Sequence, residues 1–305
     1  MTASHRTAAR LAGPAAGFLV GISLMAAAAA AGDLPLWLIE DADNRVWVLG
    51  SIHLLREQDY PLPEPMQAAY EDAETLVMEL DMDALDAVSA AVAMSSRAVV
   101  PDGGTLASLM GAEAYARAKA TAADAGIDLD RFRGTEPWYA ALTITQMQLA
   151  RHGYDPRYGV DAHLAARARD DGKPVDGLET FEEQIQFFDE LPLDLQSDLL
   201  FEALSEIRDL AAGMNETVAA WRRGDGDYLA DVLLQELRAY PELYDTLVVE
   251  RNRRWAPRLA GLLEGDGDYL VIVGTLHLVG PDSVLEFLAA RGLVATQVGT
   301  RPAVR

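Results

Sequence analysis

Cysteine is absent from the 305 residues, which excludes disulfide bonds, thiolate metal sites and a cysteine nucleophile. Histidine is scarce, at five residues, so any chemistry must come from a few imidazoles together with carboxylates, hydroxyls and arginines. No Gly-x-Ser-x-Gly elbow, His-Glu-x-x-His helix, phosphate-cradling glycine loop or EF-hand pattern occurs in the sequence. Gly265-Asp-Gly-Asp268 reads as a turn rather than a calcium loop, because apolar residues follow it. Positive charge is also short. Lys and Arg total 25 against 48 Asp and Glu, giving a formal net charge of -23. Such a body repels nucleic-acid phosphates and anionic lipid, so nucleic acid is not an expected partner. The charge reads as a solvated surface.

Residues 1–31 stand apart from the rest. His5, Arg6 and Arg10 precede an apolar stretch from Leu11 to Met25 and an alanine run ending at Ala31, ahead of the acidic Asp33. A basic start, an apolar centre and small residues read as a secretory signal, with an uncleaved membrane anchor as the alternative. No later segment reads as membrane-spanning. Cleavage would remove two arginines and no acids, taking the formal charge from -23 to -25. The expected location is periplasmic or extracellular, with residues 32–305 forming a single domain and no membrane insertion once the leader is removed.

What the chain does contain is a near-repeat at its two ends. Val46-Trp-Val-Leu-Gly50-Ser-Ile-His53 and Leu270-Val-Ile-Val-Gly274-Thr-Leu-His277 are each an apolar run closed by glycine, a hydroxyl residue, an aliphatic residue and histidine. The apolar runs are strand-like, so each histidine falls just beyond a strand's carboxyl end, where ligands sit in open α/β sheets. Leu36–Glu40 and Arg45–Leu49 predict a hairpin around Asp41–Asn44. A helix at 64–73 and a strand at 75–80 complete a βα unit. From about 85 to 169 the chain is alanine-rich and helical in pattern, with breaks at 101–104 and 153–156. A short strand at 174–178 then leads to Glu179, and Thr180 with Glu183 forms a capping box. Helices are expected at 193–221, 227–239, 241–263 and 281–290, with a last strand at 294–298. The fold class is therefore α/β: a central mixed β-sheet built from N-terminal and C-terminal βα units around a large α-helical insertion.

His53 and His277 lead the site candidates, since imidazole serves both as ligand for divalent metals and as general base. Glu79 ends an apolar strand, where an ionised carboxylate requires a partner; that partner is either a cation held with the histidines or an arginine. Two His and one Glu form a usual ligand set for a catalytic metal. Arg251 lies in Glu250-Arg-Asn-Arg-Arg-Trp255, where one inward guanidinium would stabilise an oxyanion while its neighbours stay solvated. Asp161, His163 and Glu179 read first as cap and helix-dipole residues. Asp81 and Asp83 read as exposed.

In order along the chain, Leu49–His53, Met78–Asp81, Tyr158–His163, Gly177–Thr180, Arg251–Trp255 and Gly274–Gly280 resemble the TraB/GumN family. That family includes the Tiki-type metalloproteases and is related to erythromycin esterase and ChaN-like folds. The resemblance implies metal ligation by His53, Glu79 and His277, a nearby Arg251, and manganese or cobalt as the metal, with zinc also allowed. The expected activity is hydrolysis of a peptide or small carbonyl substrate by metal-bound water. The alternatives are a metal-free His/Glu esterase-type hydrolase and a non-catalytic peptide- or haem-binding protein of the same fold.

Overall fold

The computed structural model describes residues 33–81 and 87–299. The leader assigned to residues 1–31, and Asp83, lie outside the described residues. The chain opens with the hairpin β1 (Asp33–Glu40) and β2 (Arg45–Ser51). Its turn is set by Asp41, whose carboxylate accepts the backbone N–H groups of Asp43 and Asn44, both at 3.2 Å. Helix α1 (Glu64–Asp72), with proline in its first turn, leads to β3 (Thr75–Leu80).

The insertion follows as α2 (Ala87–Arg97), α3 (Leu106–Met110), α4 (Ala112–Asp124), α5 (Pro137–Arg151) and α6 (Val160–Asp171), then strand β4 (Val175–Glu179). Helices α7 (Phe181–Asp189), α8 (Leu193–Ser205), α9 (Leu210–Arg223), α10 (Gly226–Arg238), α11 (Pro241–Tyr244) and α12 (Glu250–Gly261) come next. Strand β5 (Tyr269–Gly274), α13 (Val284–Ala289) and β6 (Thr296–Gly299) close the fold. The stretch expected as one helix over 193–221 is two, separated around Asp209. The stretch over 241–263 holds a π-turn at Asp245–Val249 ahead of α12.

The six strands run in the order β4-β3-β5-β2-β1-β6. The three pairings that join β2, β5, β3 and β4 are parallel, whereas β1 is antiparallel to both β2 and β6. Leu270–Val273 and Leu76–Met78 are buried throughout, as parallel strands covered on both faces require. Alternation along them sends Met78, Leu270 and Ile272 into a core with α1, α6, α9 and α10. Val77, Val271 and Val273 face the opposite side, against Trp255, Ala256 and Leu259 of α12 and Val284 and Leu288 of α13. This is a three-layer arrangement with the site at the carboxyl ends of the parallel strands. The helical insertion has a separate core of its own, including Leu106, Ala122, Phe132, Ile144 and Leu200. No helix among the described residues is long and apolar enough to cross a membrane.

Candidate functional site

Strand register brings the two near-repeats side by side. Ser51 pairs with Gly274 and Leu49 with Ile272, while Met78 pairs with Ile272 from the other flank. Glu79 is therefore one residue beyond a strand position that shares a partner with β2. His53 follows β2 in coil, and His277 ends the short 3-10 turn Thr275–His277 after β5. Thr275 Oγ1 donates to the Ser51 carbonyl at 2.9 Å, tying the two motif turns together.

Gly274 lies at the centre of the convergence. A Cβ there would sit 3.2 Å from Glu79 Oε1, 3.6 Å from the His277 Cδ2 and 3.6 Å from His53 Nε2. Three groups thus surround a volume about the size of one methyl, left open by the missing side chain. The Gly274 N–H also donates to Glu79 Oε1 at 2.7 Å. Glycine is needed at this position for close approach, since its backbone is at an ordinary negative φ.

His53 is oriented by Asp161, whose carboxylate accepts from Nδ1 at 2.7 Å and leaves Nε2 turned toward Glu79. The contact depends on Gly159, where a Cβ would come 2.4 Å from the His53 carbonyl oxygen, and on the Val160 N–H donating to the Ile52 carbonyl. Helix α6 can thereby start directly against the His53 loop. The Asp161 charge is the main influence raising the His53 pKa, with burial opposing and Glu79 adding to it. Because 60% of the His53 side chain is exposed, water screens these influences.

His277, by contrast, is buried. Asn252 fixes its tautomer: the Asn252 amide donates to the Asp282 carbonyl at 2.7 Å, so its oxygen faces His277 Nδ1 at 2.7 Å and accepts a proton from it. His277 Nε2 then carries the lone pair, which accepts from Arg251 Nη1 at 3.0 Å. Burial pushes the His277 pKa down to about 3, with Arg251 and His53 adding and Glu79 opposing. The ring is neutral at physiological pH.

Arg251 is the cation of the cluster. Its Nε donates to Glu179, its Nη1 to the Leu247 carbonyl and His277, and its Nη2 to Glu79 at 2.6 Å, with Nη2 also 2.9 Å from Glu179 as an ion pair. Each guanidinium nitrogen has a hydrogen-bond acceptor in this arrangement. The guanidinium bridges Glu79 and His277. Burial alone would raise Glu79, but His277, Arg251, His53 and the Gly274 N–H together hold it down to about 2. Glu179, read from sequence as a cap or dipole residue, is a buried counter-ion: it also accepts from Arg254 at 2.8 Å and from Trp255 Nε1 at 3.1 Å. Asp161 likewise ligates His53 and does not cap α6, whose N-cap is Gly159 without a side-chain bond. His163 packs against the Tyr60 ring, centroids 4.5 Å apart, and makes no contact with the cluster. Gln184, which sequence reasoning missed, donates to Glu79 at 3.1 Å and to Glu179 at 3.4 Å. Its only signal is its place one residue after the Thr180–Glu183 capping box.

The donor chemistry suits a divalent cation, with one exchange required. His53 Nε2 and Glu79 Oε1 face the cradle over Gly274, but the third donor, His277 Nε2, is engaged by Arg251. Among the described residues no group of three or more His, Asp or Glu is drawn together at metal-binding spacing. A cation would take the His277 lone pair from the Arg251 N–H. Beside the cluster a cleft of about 210 Å³ is lined by Met78, Leu80, Ile272, His53, Glu79 and Gln184 among others.

The model of the TraB/PrgY/gumN family matches residues 35–297. The chain belongs to that family. Its curated relatives include the "Uncharacterized protein YbaP" of Escherichia coli (strain K12) and that of Shigella flexneri. Each is 27% identical over 241 residues, covering 79% of this chain and 86% of the relative. No solved structure matches. The family match spans all six strands apart from the outer ends of β1 and β6, and it includes His53, Glu79, Arg251 and His277.

Proposed function

We propose that the protein is an exported hydrolase of the peptidase type, in which His53, Glu79 and His277 hold a divalent cation. The observation that carries this reading is the cradle over Gly274, bounded by Glu79 Oε1, the His277 ring and His53 Nε2. Bound there, the cation would lower the pKa of coordinated water from about 15.7 toward about 7 and polarise a substrate carbonyl. The family resemblance implies manganese or cobalt as the metal, and two imidazoles with one carboxylate also allow zinc.

The chain's own residues prepare that site. Asp161 holds His53 with Nε2 turned inward, the arrangement in which a carboxylate raises imidazole basicity and fixes ring orientation. Asn252 selects the His277 tautomer that presents Nε2. Arg251, Gln184 and the Gly274 N–H keep Glu79 ionised and immobile. Met78, Leu80 and Ile272 give the adjacent cleft an apolar wall that accepts an uncharged substrate side chain. The test is metal content of the purified mature protein, with His53→Ala and His277→Ala variants, together with a peptidase screen with and without chelator. Loss of bound metal and of chelator-sensitive cleavage in both variants supports the reading; metal content unchanged in both rejects it.

The Arg251 N–H on His277 Nε2 and the Asp161–His53 pair favour a second reading, metal-free hydrolysis of an ester or lactone. His53 would then move the proton and Glu79 would tune it. Hydrolysis that survives exhaustive chelation selects this version.

A further inference from the structure

The two Gly-hydroxyl-x-His motifs put their hydroxyls to different uses. Thr275 Oγ1 donates to the Ser51 carbonyl at 2.9 Å. Ser51 Oγ, at the matching position after Gly50, has no hydrogen-bond partner among the described residues, although the residue is only 2% exposed. The carbonyls on either side are met from other elements, Gly50 by Trp221 Nε1 at 2.7 Å and Ile52 by the Val160 N–H at 3.0 Å. A buried hydroxyl proton without an acceptor is costly, so a bound group that meets it is favoured.

Strand alternation gives the direction in which that hydroxyl lies. Val46 and Val48 face α12 and α13, whereas Trp47 and Leu49 face the other core, so Ser51 shares the face of Leu49. On β5 the same face carries Leu270, Ile272 and then Gly274. Ser51 pairs with Gly274, and paired residues of neighbouring strands stand side by side about 4.8 Å apart. Beside Ser51 on that flank is therefore the direction a Gly274 side chain would take, toward Glu79 Oε1, the His277 ring and His53 Nε2. The opposite flank is hydrocarbon: β1 continues past the Leu36–Leu49 pair to the fully buried Leu34. The polar side open to Ser51 Oγ is the space over Gly274.

We propose that Ser51 is a further residue of the site, its hydroxyl donating to a water oxygen bound over Gly274 and orienting that water for attack. This rests on the hydrolase reading and applies to both of its versions, since each needs a water beside His53 Nε2. Ser51 forms no covalent bond and keeps its proton. What it fixes is the direction of the water's free lone pair, toward a substrate carbonyl carbon in the adjoining cleft lined by Met78 and Ile272. Thr275 cannot take this part, because its own hydroxyl is engaged by the Ser51 carbonyl.

Ser51→Ala and Ser51→Thr test this in the full chain. Oxygen-17 relaxation dispersion of chelator-treated protein counts long-lived bound waters without requiring turnover. The expected result is one water fewer in Ser51→Ala than in wild type, an equal count in Ser51→Thr, and loss of the same water in Gly274→Ala, whose methyl fills the space. On whichever peptide, ester or lactone the wild type hydrolyses, Ser51→Ala should lower kcat about tenfold or more with KM within about twofold, and Ser51→Thr should restore kcat. An equal water count in wild type and Ser51→Ala, a water retained in Gly274→Ala, or an unchanged kcat overturns the assignment of Ser51 and leaves the hydrolase reading standing. Loss of the water in Ser51→Ala beside a wild type that hydrolyses none of the three substrate classes does the reverse, rejecting the hydrolase reading while Ser51 remains the holder of a bound water.

Discussion

Replacing Arg251 by Met removes five donors from the buried cluster at once. Glu79 keeps the Gly274 N–H and Gln184, and Glu179 keeps Arg254 and Trp255. Two carboxylates whose side chains are 11% and 1% exposed are then short of positive charge. Breaking a buried pair by deleting one partner costs about 3–5 kcal/mol. Arg254 binds the same Glu179 but is 49% exposed, and Arg254→Met should cost about 0–1 kcal/mol. With a urea slope of about 2 kcal/mol per molar, Arg251→Met lowers the unfolding midpoint by about 1.5 M or more. The assay is urea denaturation of chelator-treated protein at pH 7, with Glu79→Gln added to the Arg251 variant as a second arm. Neutralising Glu79 removes one stranded charge, so the double variant should be more stable than the single one. If Arg251→Met costs no more than Arg254→Met, or the double variant gains nothing, Arg251 is not the cation on which those carboxylates depend.

Three further outcomes follow from the same geometry. Asp161→Asn removes the main influence holding the His53 pKa up, so in metal-free protein its NMR titration should fall toward the ordinary value of about 6.5; an unchanged midpoint contradicts the assignment. His277 has a folded pKa of about 3 against about 6.5 unfolded, so the unfolded chain takes up its proton first as pH falls. Stability is therefore fully present above about 6.5 and lost on acidification toward 3, by on the order of 5 kcal/mol. His277→Gln should flatten that slope in a pH series of urea melts, and identical slopes would refute the burial argument. Gly274→Ala fills the cradle, its Cβ meeting Glu79 Oε1 at 3.2 Å; the expected outcome is near-native thermal stability with loss of bound metal, and retained metal would count against the site.

Much of this arrangement was readable in the sequence because apolar runs and their terminators carry it. Val46–Leu49, Leu76–Met78 and Leu270–Val273 each read as a buried strand, and their adjacency in the sheet brings His53, Glu79 and His277 together. The inward face of α12 was also legible, from the Glu250–Trp255 run in which one guanidinium was expected to turn inward while its neighbours stay solvated. The misread residues are those whose partners lie on other elements. Asp161 has the local signature of a cap, and only the approach of α6 to the His53 carbonyl turns it into an imidazole partner. Glu179 ends a strand from the helical insertion, and no local pattern shows that β4 joins the sheet beside β3. Arg251 was correctly placed inward, but its acceptors come from Glu79, Glu179, Leu247 and His277, too dispersed for any spacing rule to gather.

The antiparallel placement of β1 and β6 has a practical outcome. Asp33 pairs with Gly299, and because β1 runs against β2, both positions lie at the end of the sheet where β2 finishes at Ser51. A fusion partner, affinity tag or surface tether joined ahead of Asp33 or behind Gly299 therefore departs from the same rim of the sheet that carries His53. A circular permutant that links these neighbouring ends by a short loop and opens the exposed Pro101–Gly103 turn would move such attachments to the helical insertion.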